Sequence, residues 1–235
     1  MRRQMTGENH LWALFDLDET LYPKGSGVME AVRDRIDSYM MERLGLDEET
    51  VRVLRPRYRQ EYGTALAGLL VDYQVDAEDY LSYVHDVPLE EYLSVNRVLD
   101  QALGQVPWRK AVFTSSTRMH ADRVLAALGI THHFERIYDV SNTGYVGKPY
   151  PQAYQAVVQA LQVCASDCIM IEDHLPNLRA PRELGMITVL VGATALADGV
   201  DFVIDRVEDI VQVATALERR RVDLGPTIAS PCGGR

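Results

Sequence analysis

Two aspartates whose spacing could support chemistry stand near the beginning of the chain. Asp16 and Asp18 follow the apolar run "ALF" in the stretch "ALFDLDETLYP". Two carboxylates held this close repel each other unless a cation or a shared proton lies between them. A hard divalent ion such as Mg²⁺ could supply that charge, because it prefers oxygen ligands. The other reading, in which one aspartate caps a turn and the other faces water, stays open on this pattern alone.

Hydroxyl groups follow a second apolar run. Thr114, Ser115 and Ser116 come directly after "AVF". Hydroxyl and backbone N–H groups at the end of a strand can hold phosphate oxygens. Alternatively, Ser116 or Thr117 caps the helix that follows, without touching a ligand.

A second acidic pair and an isolated lysine complete the set. Glu172 and Asp173 follow "CIMI", and acid pairs from two segments could converge on one ion. Lys148 is one of three lysines, and the other two, Lys24 and Lys110, occupy positions that we expect to be exposed. The Lys148 ammonium could neutralise both a nucleophilic carboxylate and a phosphate. It is not a P-loop lysine, because the pattern G-x-x-x-x-G-K-[ST] is absent around it.

These polar groups need a scaffold that brings distant segments together. Short continuous apolar runs predict strands that are buried on both faces of a sheet. The predicted strands are Trp12–Phe15, Ala111–Phe113, Cys168–Ile171, Ile187–Val191 and a short edge strand, Phe202–Ile204. Apolar stripes at helical spacing lie between them. This alternation predicts an α/β fold with a doubly wound parallel sheet, in which ligands bind beyond the carboxyl ends of the strands.

The segment of residues 24–105 breaks the alternation. It contains no convincing strand, and its apolar residues repeat at helical spacing. We therefore predict an all-helical insert directly after the first strand and its aspartates. The α/β core then comprises residues 1–23 and 106–220, and residues 221–235 form a loose tail, because apolar periodicity is lost there.

Composition limits the partners. The 235-residue chain has a net charge of −10, and an acidic protein repels a nucleic-acid backbone, so we expect no nucleic-acid polymer as partner. No run approaches the roughly 18 apolar residues of a membrane helix, and the N-terminus lacks the apolar region of a secretory signal. We expect a cytoplasmic protein whose partner is a small phosphorylated metabolite.

In this order, the motifs resemble those of the haloacid dehalogenase (HAD) superfamily of phosphohydrolases. The first motif, D-x-D-x-T, corresponds to Asp16–Thr20, and the second-motif hydroxyl to Thr114. The third-motif lysine corresponds to Lys148, and the fourth-motif acid pair to Glu172 and Asp173. The resemblance spans residues 15–173 and implies a Rossmann-like core. The helical insert resembles the cap that one subgroup carries between its first and second motifs.

The resemblance also implies a mechanism, that of a phosphoric monoester hydrolase. Asp16 would attack phosphorus and form an aspartyl-phosphate. Asp18 would protonate the leaving alkoxide and then deprotonate the attacking water, which requires the pKa values of the two aspartates to differ. Thr114, Ser115 and Lys148 would bind the phosphate, and Thr114 and Lys148 would balance its growing charge.

The same resemblance implies Mg²⁺ as the cofactor. Asp16 and Asp173 would bind the ion through their side chains, and Asp18 through its backbone carbonyl. Glu172 would act through water.

A narrower similarity concerns the substrate. The stretches "FDLDETLYP", "YRQEYGTALAGL" and "YLSYVHDVPL" resemble the pyrimidine 5′-nucleotidase-like branch, which implies UMP or CMP as substrate. The candidate cap residues for substrate binding are Tyr62, Thr64 and His85. A tyrosine ring could stack on a base, and His85 could bond to the base or ribose. For Tyr62 and His85, packing within the protein is the alternative.

Three other functions remain open on the sequence. A HAD phosphatase of a sugar phosphate or another small phosphometabolite would keep the same chemistry. A phosphomutase uses the same two aspartates, and a catalytically idle module could bind a phosphate ligand. The presence of Asp18 argues against the idle module, since pure binding needs no proton carrier. It also argues against a dehalogenase, because a halide leaves without a proton.

Overall fold

A six-stranded parallel sheet forms the centre of the fold in the computed structural model, which describes residues 11–195 and 198–224. The strands are β1 (Trp12–Phe15), β2 (Arg109–Phe113), β3 (Arg136–Tyr138), β4 (Cys168–Glu172), β5 (Ile187–Val191) and β6 (Phe202–Ile204). Their order across the sheet is β3-β2-β1-β4-β5-β6. The order reverses at β1, and in doubly wound sheets such a switch point opens a crevice at the carboxyl ends of the strands.

Nine α-helices accompany the sheet in the described part of the chain. They are α1 (Val28–Glu42), α2 (Glu48–Tyr62), α3 (Ala65–Asp72), α4 (Ala77–Val84), α5 (Arg97–Gln105), α6 (Arg118–Leu128), α7 (Pro151–Leu161), α8 (Arg179–Glu183) and α9 (Ile210–Leu224). The predicted class, a doubly wound Rossmann-like sheet with a helical insert, is confirmed. None of these helices is both long and apolar enough to cross a bilayer.

The two faces of the sheet are covered by different helices. Alternate residues of β1 point to opposite faces, so Ala13 and Phe15 join one apolar cluster and Trp12 and Leu14 join the other. The first cluster includes residues of α5, α6 and α9, and the second includes residues of α7 and α8. Burial on both faces explains why the strands have continuous apolar sequences.

Helices α1 to α4 pack around a third apolar cluster, which we call the cap core. Its largest wholly buried side chain is that of Tyr58, in α2. Side chains mark the beginnings of three of these helices: Asp47, Thr64 and Asp76 each accept a hydrogen bond from a backbone N–H of the first turn. The helical character of the insert is therefore encoded locally as well as by periodicity.

Helix α5 packs with the α/β core, although it lies within residues 24–105. Leu99 and Leu103 belong to the cluster of the sheet, and α5 contacts α9. The cap core takes no residue from α5. Helical periodicity shows that a face is apolar but does not identify the neighbour that covers it, so the sequence could not assign this helix.

Three further details differ from the sequence-based expectations or extend them. Strand β3 was not predicted, because its three residues form no continuous buried run. Lys110 was expected to be exposed but is buried, and its ammonium donates to the carbonyl oxygens of Val106 and Trp108. Helix α9 continues past residue 220 to Leu224, and the rest of the segment predicted as a loose tail lies outside the described residues.

Candidate active site

The carboxyl ends of β1, β2 and β4 bring the predicted motifs together. Asp16 follows β1, and its backbone N–H donates to Ile171 O of β4 at 2.9 Å. Thr114 follows β2, while Glu172 ends β4 and Asp173 comes next. Since these three strands are adjacent and parallel, segments distant in sequence meet at one edge of the sheet.

Lys148 lies in the segment before α7 and reaches into this edge. Its ammonium donates to Asp16 Oδ1 at 2.5 Å, to Glu172 Oε2 at 2.7 Å and to Phe113 O at 3.2 Å. The three donors of the ammonium are thereby satisfied in a position that is 5% exposed. The structure therefore joins the lysine of the third motif to acids of the first and the fourth.

The charges of this cluster do not balance. Burial raises the pKa of Asp16 to about 6, although the charge of Lys148 acts to lower it. Burial and the nearby charge of Asp16 raise the pKa of Glu172 to about 8, again against Lys148. Burial also acts to lower the pKa of Lys148, but the two carboxylates raise it above its ordinary value. Full ionisation of both acids would leave more negative charge than one ammonium neutralises, and burial together with this excess holds them back from it.

Asp18 occupies a separate set of hydrogen bonds. Its Oδ1 accepts from the Tyr22 hydroxyl at 2.7 Å and contacts His120 Nε2 at 2.9 Å, and its Oδ2 accepts from Ser116 Oγ at 2.6 Å. Burial acts to raise the pKa of Asp18, but the charge and hydrogen bond of His120 outweigh it, with help from Ser116 and Tyr22. The pKa of Asp18 therefore lies well below its ordinary value.

The pKa values of the two aspartates differ, as an acid–base pair requires, but the protein's own groups set them in the reverse order. Asp18 is the stronger acid and Asp16 the weaker one. A cation beside Asp16 would lower the pKa of that carboxyl, and an anionic phosphate beside Asp18 would raise the pKa of Asp18. Both shifts act towards an ionised Asp16 and a protonated Asp18.

A cation would fit beside Asp16. Oxygen atoms of Asp16, Glu172 and Asp173 all lie within 4.8 Å of one another. Carboxylate oxygens are the ligands of hard divalent ions, and the excess negative charge favours one. The Asp18 side chain is not part of this cluster, and its contribution through the backbone carbonyl stays a prediction.

Two residues near the cluster contact Asp173. Thr20 Oγ1 lies 3.2 Å from Asp173 Oδ1 and 3.3 Å from Asp16 Oδ2. The ammonium of Lys24, at the entry to the helical insert, lies 2.8 Å from Asp173 Oδ2. Lys24 was expected to be exposed, and its side chain is 57% exposed, but its charged end reaches the site. The Thr20 hydroxyl thus lies between the carboxylates of Asp16 and Asp173. The Lys24 ammonium would compete with a bound cation for the carboxylate of Asp173.

The residues predicted to bind phosphate lie around the same cluster. Thr114 is 2% exposed, and its Oγ1 accepts from the Ser116 N–H at 3.0 Å. A Cβ built on Gly147 would lie 3.4 Å from Ser115 Oγ and 3.6 Å from Thr64 Cγ2. The hydroxyl loop after β2 and the cap residue Thr64 therefore pack on the glycine that precedes the lysine.

The cap contacts the site through the turn between α2 and α3. A Cβ built on Gly63 would lie 3.2 Å from both Lys148 O and Pro149 Cδ, so this turn rests on the lysine loop. Tyr62, just before the turn, is half-buried and packs on the cap core, with its ring 6.0 Å from that of Tyr58.

His85 lies where α4 ends and is 5% exposed. Its ring stacks on that of His120, with 4.5 Å between centroids, and its Nδ1 lies 3.5 Å from Thr117 Oγ1. Of the two interpretations of His85, contact with a leaving group or structural packing, this placement favours packing.

The match to known families agrees with this geometry. Residues 12–185, more than half of the chain, match the family model described as haloacid dehalogenase-like hydrolase. The chain belongs to this family. The predicted resemblance is therefore confirmed at the level of the superfamily.

Individual relatives of this HAD hydrolase are distant. It is 29% identical over 187 residues to Phosphate metabolism protein 8 of Saccharomyces cerevisiae. The alignment covers 73% of this chain and 58% of that protein. It is 27% identical over 231 residues to Glyceraldehyde 3-phosphate phosphatase of Methanopyrus kandleri. That alignment covers 88% of this chain and 97% of the relative. The chain thus spans just over half of the yeast relative.

Solved structures share the fold. The crystal structure of CbbY from Rhodobacter sphaeroides in complex with phosphate has a TM-score of 0.60 to this HAD hydrolase at 20% identity. The match covers 85% of this chain and 95% of that chain. At this level of identity the likeness shows the fold alone.

Sequence reasoning missed the groups that hold Asp18 in this HAD hydrolase. Tyr22 stands four residues after Asp18, and Ser116 was interpreted only as a phosphate-binding or capping residue. The cap of α6 is Thr117, whose Oγ1 accepts from the His120 N–H at 3.2 Å. One signal was available: His120 lies on the apolar stripe of α6, four residues before Val124, where a polar ring needs a partner.

Proposed function

We propose that the chain is a Mg²⁺-dependent phosphomonoesterase that works through an aspartyl-phosphate intermediate. The observation that carries this proposal is the separation of the two aspartates into different environments. Asp16 lies with Lys148 in a buried ionic cluster, whereas Asp18, two residues on, is held by neutral hydroxyls and an imidazole. One carboxylate is thus arranged for attack and the other for proton transfer.

The reaction begins with Asp16. One of its carboxylate oxygens forms a bond to phosphorus as the bond from phosphorus to the ester oxygen breaks. Lys148, whose ammonium contacts Asp16, and Thr114, at the end of the neighbouring strand β2, stabilise the charge on the non-bridging oxygens of the phosphoryl group. The leaving alkoxide receives a proton from Asp18.

The second half of the reaction returns the enzyme to its first state. Asp18 takes a proton from water, whose oxygen bonds to phosphorus while the bond to Asp16 breaks. The products are an alcohol and inorganic phosphate. Oxygen atoms of Asp16, Glu172 and Asp173 would hold the Mg²⁺ ion, with the Asp18 backbone carbonyl as a further ligand. When bound, the ion neutralises charge on the carboxylate cluster and on the phosphate.

The proposed substrate is a pyrimidine nucleoside 5′-monophosphate, UMP or CMP. The support for it is the similarity of the first motif and of two cap stretches to the pyrimidine 5′-nucleotidase-like branch. A second substrate class, a sugar phosphate or another small phosphometabolite, has support from a different observation. The relative named Glyceraldehyde 3-phosphate phosphatase aligns over nearly its whole length.

A panel of phosphate esters tests both levels of the proposal. Nucleotides and sugar phosphates are compared by kcat/KM in Mg²⁺, and kcat/KM for UMP or CMP should exceed that for purine nucleotides and hexose phosphates. If kcat/KM is highest for hexose phosphates, the assignment to the nucleotidase branch is wrong, while the proposed phosphatase chemistry stands.

The intermediate is tested separately. Enzyme that is quenched in acid during turnover should carry phosphate as an acyl-phosphate, which hydroxylamine releases. Asp16→Asn should abolish this covalently bound phosphate. A chain that binds these esters without releasing phosphate would be an idle binding module instead.

A further inference from the structure

We propose that His120 is a positioning residue for Asp18, holding its carboxylate in the orientation that proton transfer to the leaving group needs. This inference rests on the proposed function, in which Asp18 is the proton carrier. His120 belongs to α6, on the core side of the site, and is 0% exposed. Its only hydrogen-bonding partner for the ring among the described residues is Asp18, at 2.9 Å from Nε2 to Oδ1.

The burial of His120 argues that this contact has a purpose beyond packing. Its Nδ1 is buried and has no hydrogen-bond partner among the described residues. A buried polar atom without a partner has lost its hydrogen bonds to water with nothing in exchange, which costs stability. A leucine would fill an apolar stripe without that cost, so packing alone does not explain an imidazole here. What the imidazole adds is a donor for Asp18, because an ionised carboxylate only accepts and Nε2 must then carry the hydrogen.

His120 is held through its backbone and through one face of its ring. Thr117 accepts a hydrogen bond from the His120 backbone N–H at the first turn of α6. His85 stacks on the His120 ring, with the two ring planes 24° apart. Arg123, one turn further along α6, donates to the carbonyl oxygens of His85 and Val87 at 3.0 and 2.5 Å. The connector after α4, which carries the ring that stacks on His120, is thus fixed to α6.

The two carboxylate oxygens of Asp18 differ in how many hydrogen bonds they accept. An ionised carboxylate has about four lone-pair positions. Tyr22 and His120 occupy two on Oδ1, and Ser116 occupies one on Oδ2. The remaining position is on Oδ2, which makes Oδ2 the oxygen that exchanges a proton with the leaving group and with water. By holding Oδ1, His120 sets the direction of Oδ2.

Leaving-group dependence separates this role from a merely structural one. The value of kcat/KM reports the formation of the phosphoenzyme. In that step the leaving oxygen of an alkyl ester needs a proton, whereas p-nitrophenolate leaves almost without one. His120→Leu should lower kcat/KM for an alkyl phosphate by about 10- to 100-fold more than for p-nitrophenyl phosphate. A general loss of folded protein would lower both values equally.

Two further variants keep the test independent of folding. His120→Gln keeps an N–H donor close to the position of Nε2 and should restore most of the alkyl-ester activity. His120→Asn is equally polar but too short to reach Asp18, and it should behave like His120→Leu. Leu125→Ala, a buried change on the same helix, is the matched control and should lower the two kcat/KM values equally.

A double-mutant cycle ties the effect to Asp18. Asp18→Asn should produce the same selective loss, and adding His120→Leu to it should change the ratio of the two esters by less than about twofold. If His120→Leu and His120→Asn lower both esters equally, the positioning role is overturned while the phosphatase stands. If the wild-type protein releases phosphate from neither ester, the proposed function fails instead.

Discussion

The ammonium of Lys148 and the carboxylate of Asp16 form an ion pair 2.5 Å long that is buried at the carboxyl ends of the strands. Glu172 shares the same ammonium at 2.7 Å. Two acids thus share one cation of the chain, and removing that cation leaves both buried carboxyl groups without their charged partner. Loss of one partner of a buried pair costs about 3–5 kcal/mol, more than the pair itself contributes.

We therefore expect Lys148→Met to reduce both stability and activity. The free energy of unfolding should fall by about 3–5 kcal/mol in urea titrations, and kcat for phosphate esters by at least about 100-fold. Lys110→Met is the matched control, because Lys110 is also buried but, within the described part of the chain, donates only to backbone carbonyls. That variant should lose about 1–3 kcal/mol and keep its kcat once it is folded. Equal kcat losses in the two variants would contradict a catalytic role for Lys148.

The pair between Lys24 and Asp173 predicts the Mg²⁺ concentration that the proposed metal site requires. The Lys24 ammonium lies 2.8 Å from an oxygen that the ion would use, so the two cations compete. Lys24→Gln should lower the Mg²⁺ concentration at half-maximal activity by up to about fivefold, which corresponds to the roughly 1 kcal/mol upper value of an exposed pair. Arg109→Gln breaks the pair with Glu135, where β2 begins, and should leave the Mg²⁺ requirement unchanged. A higher requirement in Lys24→Gln would show that Lys24 assists the ion.

The sequence predicted those parts of the site that depend on strand ends. Asp16, Thr114 and the pair of Glu172 and Asp173 each follow an apolar run, and parallel strands bring such positions together whatever lies between them. Lys148 follows no strand, and its role was implied by the family resemblance together with its being one of only three lysines. These predictions needed only local patterns and the general rule for sheets of this class.

Contacts between helices were beyond the sequence. The ring of His120 meets Asp18 only because α6 packs on the sheet at one particular rotation, and the ring of His85 meets His120 only because α4 ends at that point. The burial of Lys110 depends on carbonyl oxygens that it reaches in the turn before β2. Periodicity gives the face of a helix but neither its depth nor its neighbour.

The burial of His85 predicts sensitivity to acid. Burial and the adjacent charge of His120 lower the pKa of His85 to about 3, with Arg123 acting in the same direction and Asp18 against it. In the unfolded chain the pKa is about 6.5, so only the unfolded state gains this proton between pH 6.5 and 3. The contribution of neutral His85 is therefore present above pH 6.5 and is lost as the pH falls.

Urea titrations at two pH values measure this effect. Between pH 7 and pH 5 the group should lose about 2 kcal/mol of unfolding free energy, because the unfolded state alone is protonated. His85→Asn cannot titrate, so the stability difference between wild type and variant should shrink by about that amount at pH 5. His133→Gln replaces a histidine outside the site and serves as the control. A constant difference between wild type and His85→Asn would show that His85 titrates normally in the folded state.

The contact between Gly63 and the lysine loop predicts that the cap helps to position Lys148. Gly45, a glycine without such a contact, serves as the comparison. Both glycines adopt positive φ angles, 82° and 69°, so an alanine strains the backbone at either position by about 1 kcal/mol. They differ in their surroundings: a Cβ at Gly63 would lie 3.2 Å from Lys148 O, whereas a Cβ at Gly45 would have no described residue within 4 Å apart from its chain neighbours. Gly63→Ala should therefore push the cap turn away from Lys148 and lower kcat by about 10-fold or more. Gly45→Ala should show the same loss of stability with an unchanged kcat, and equal kcat values in the two variants would mean that this contact does not position the lysine.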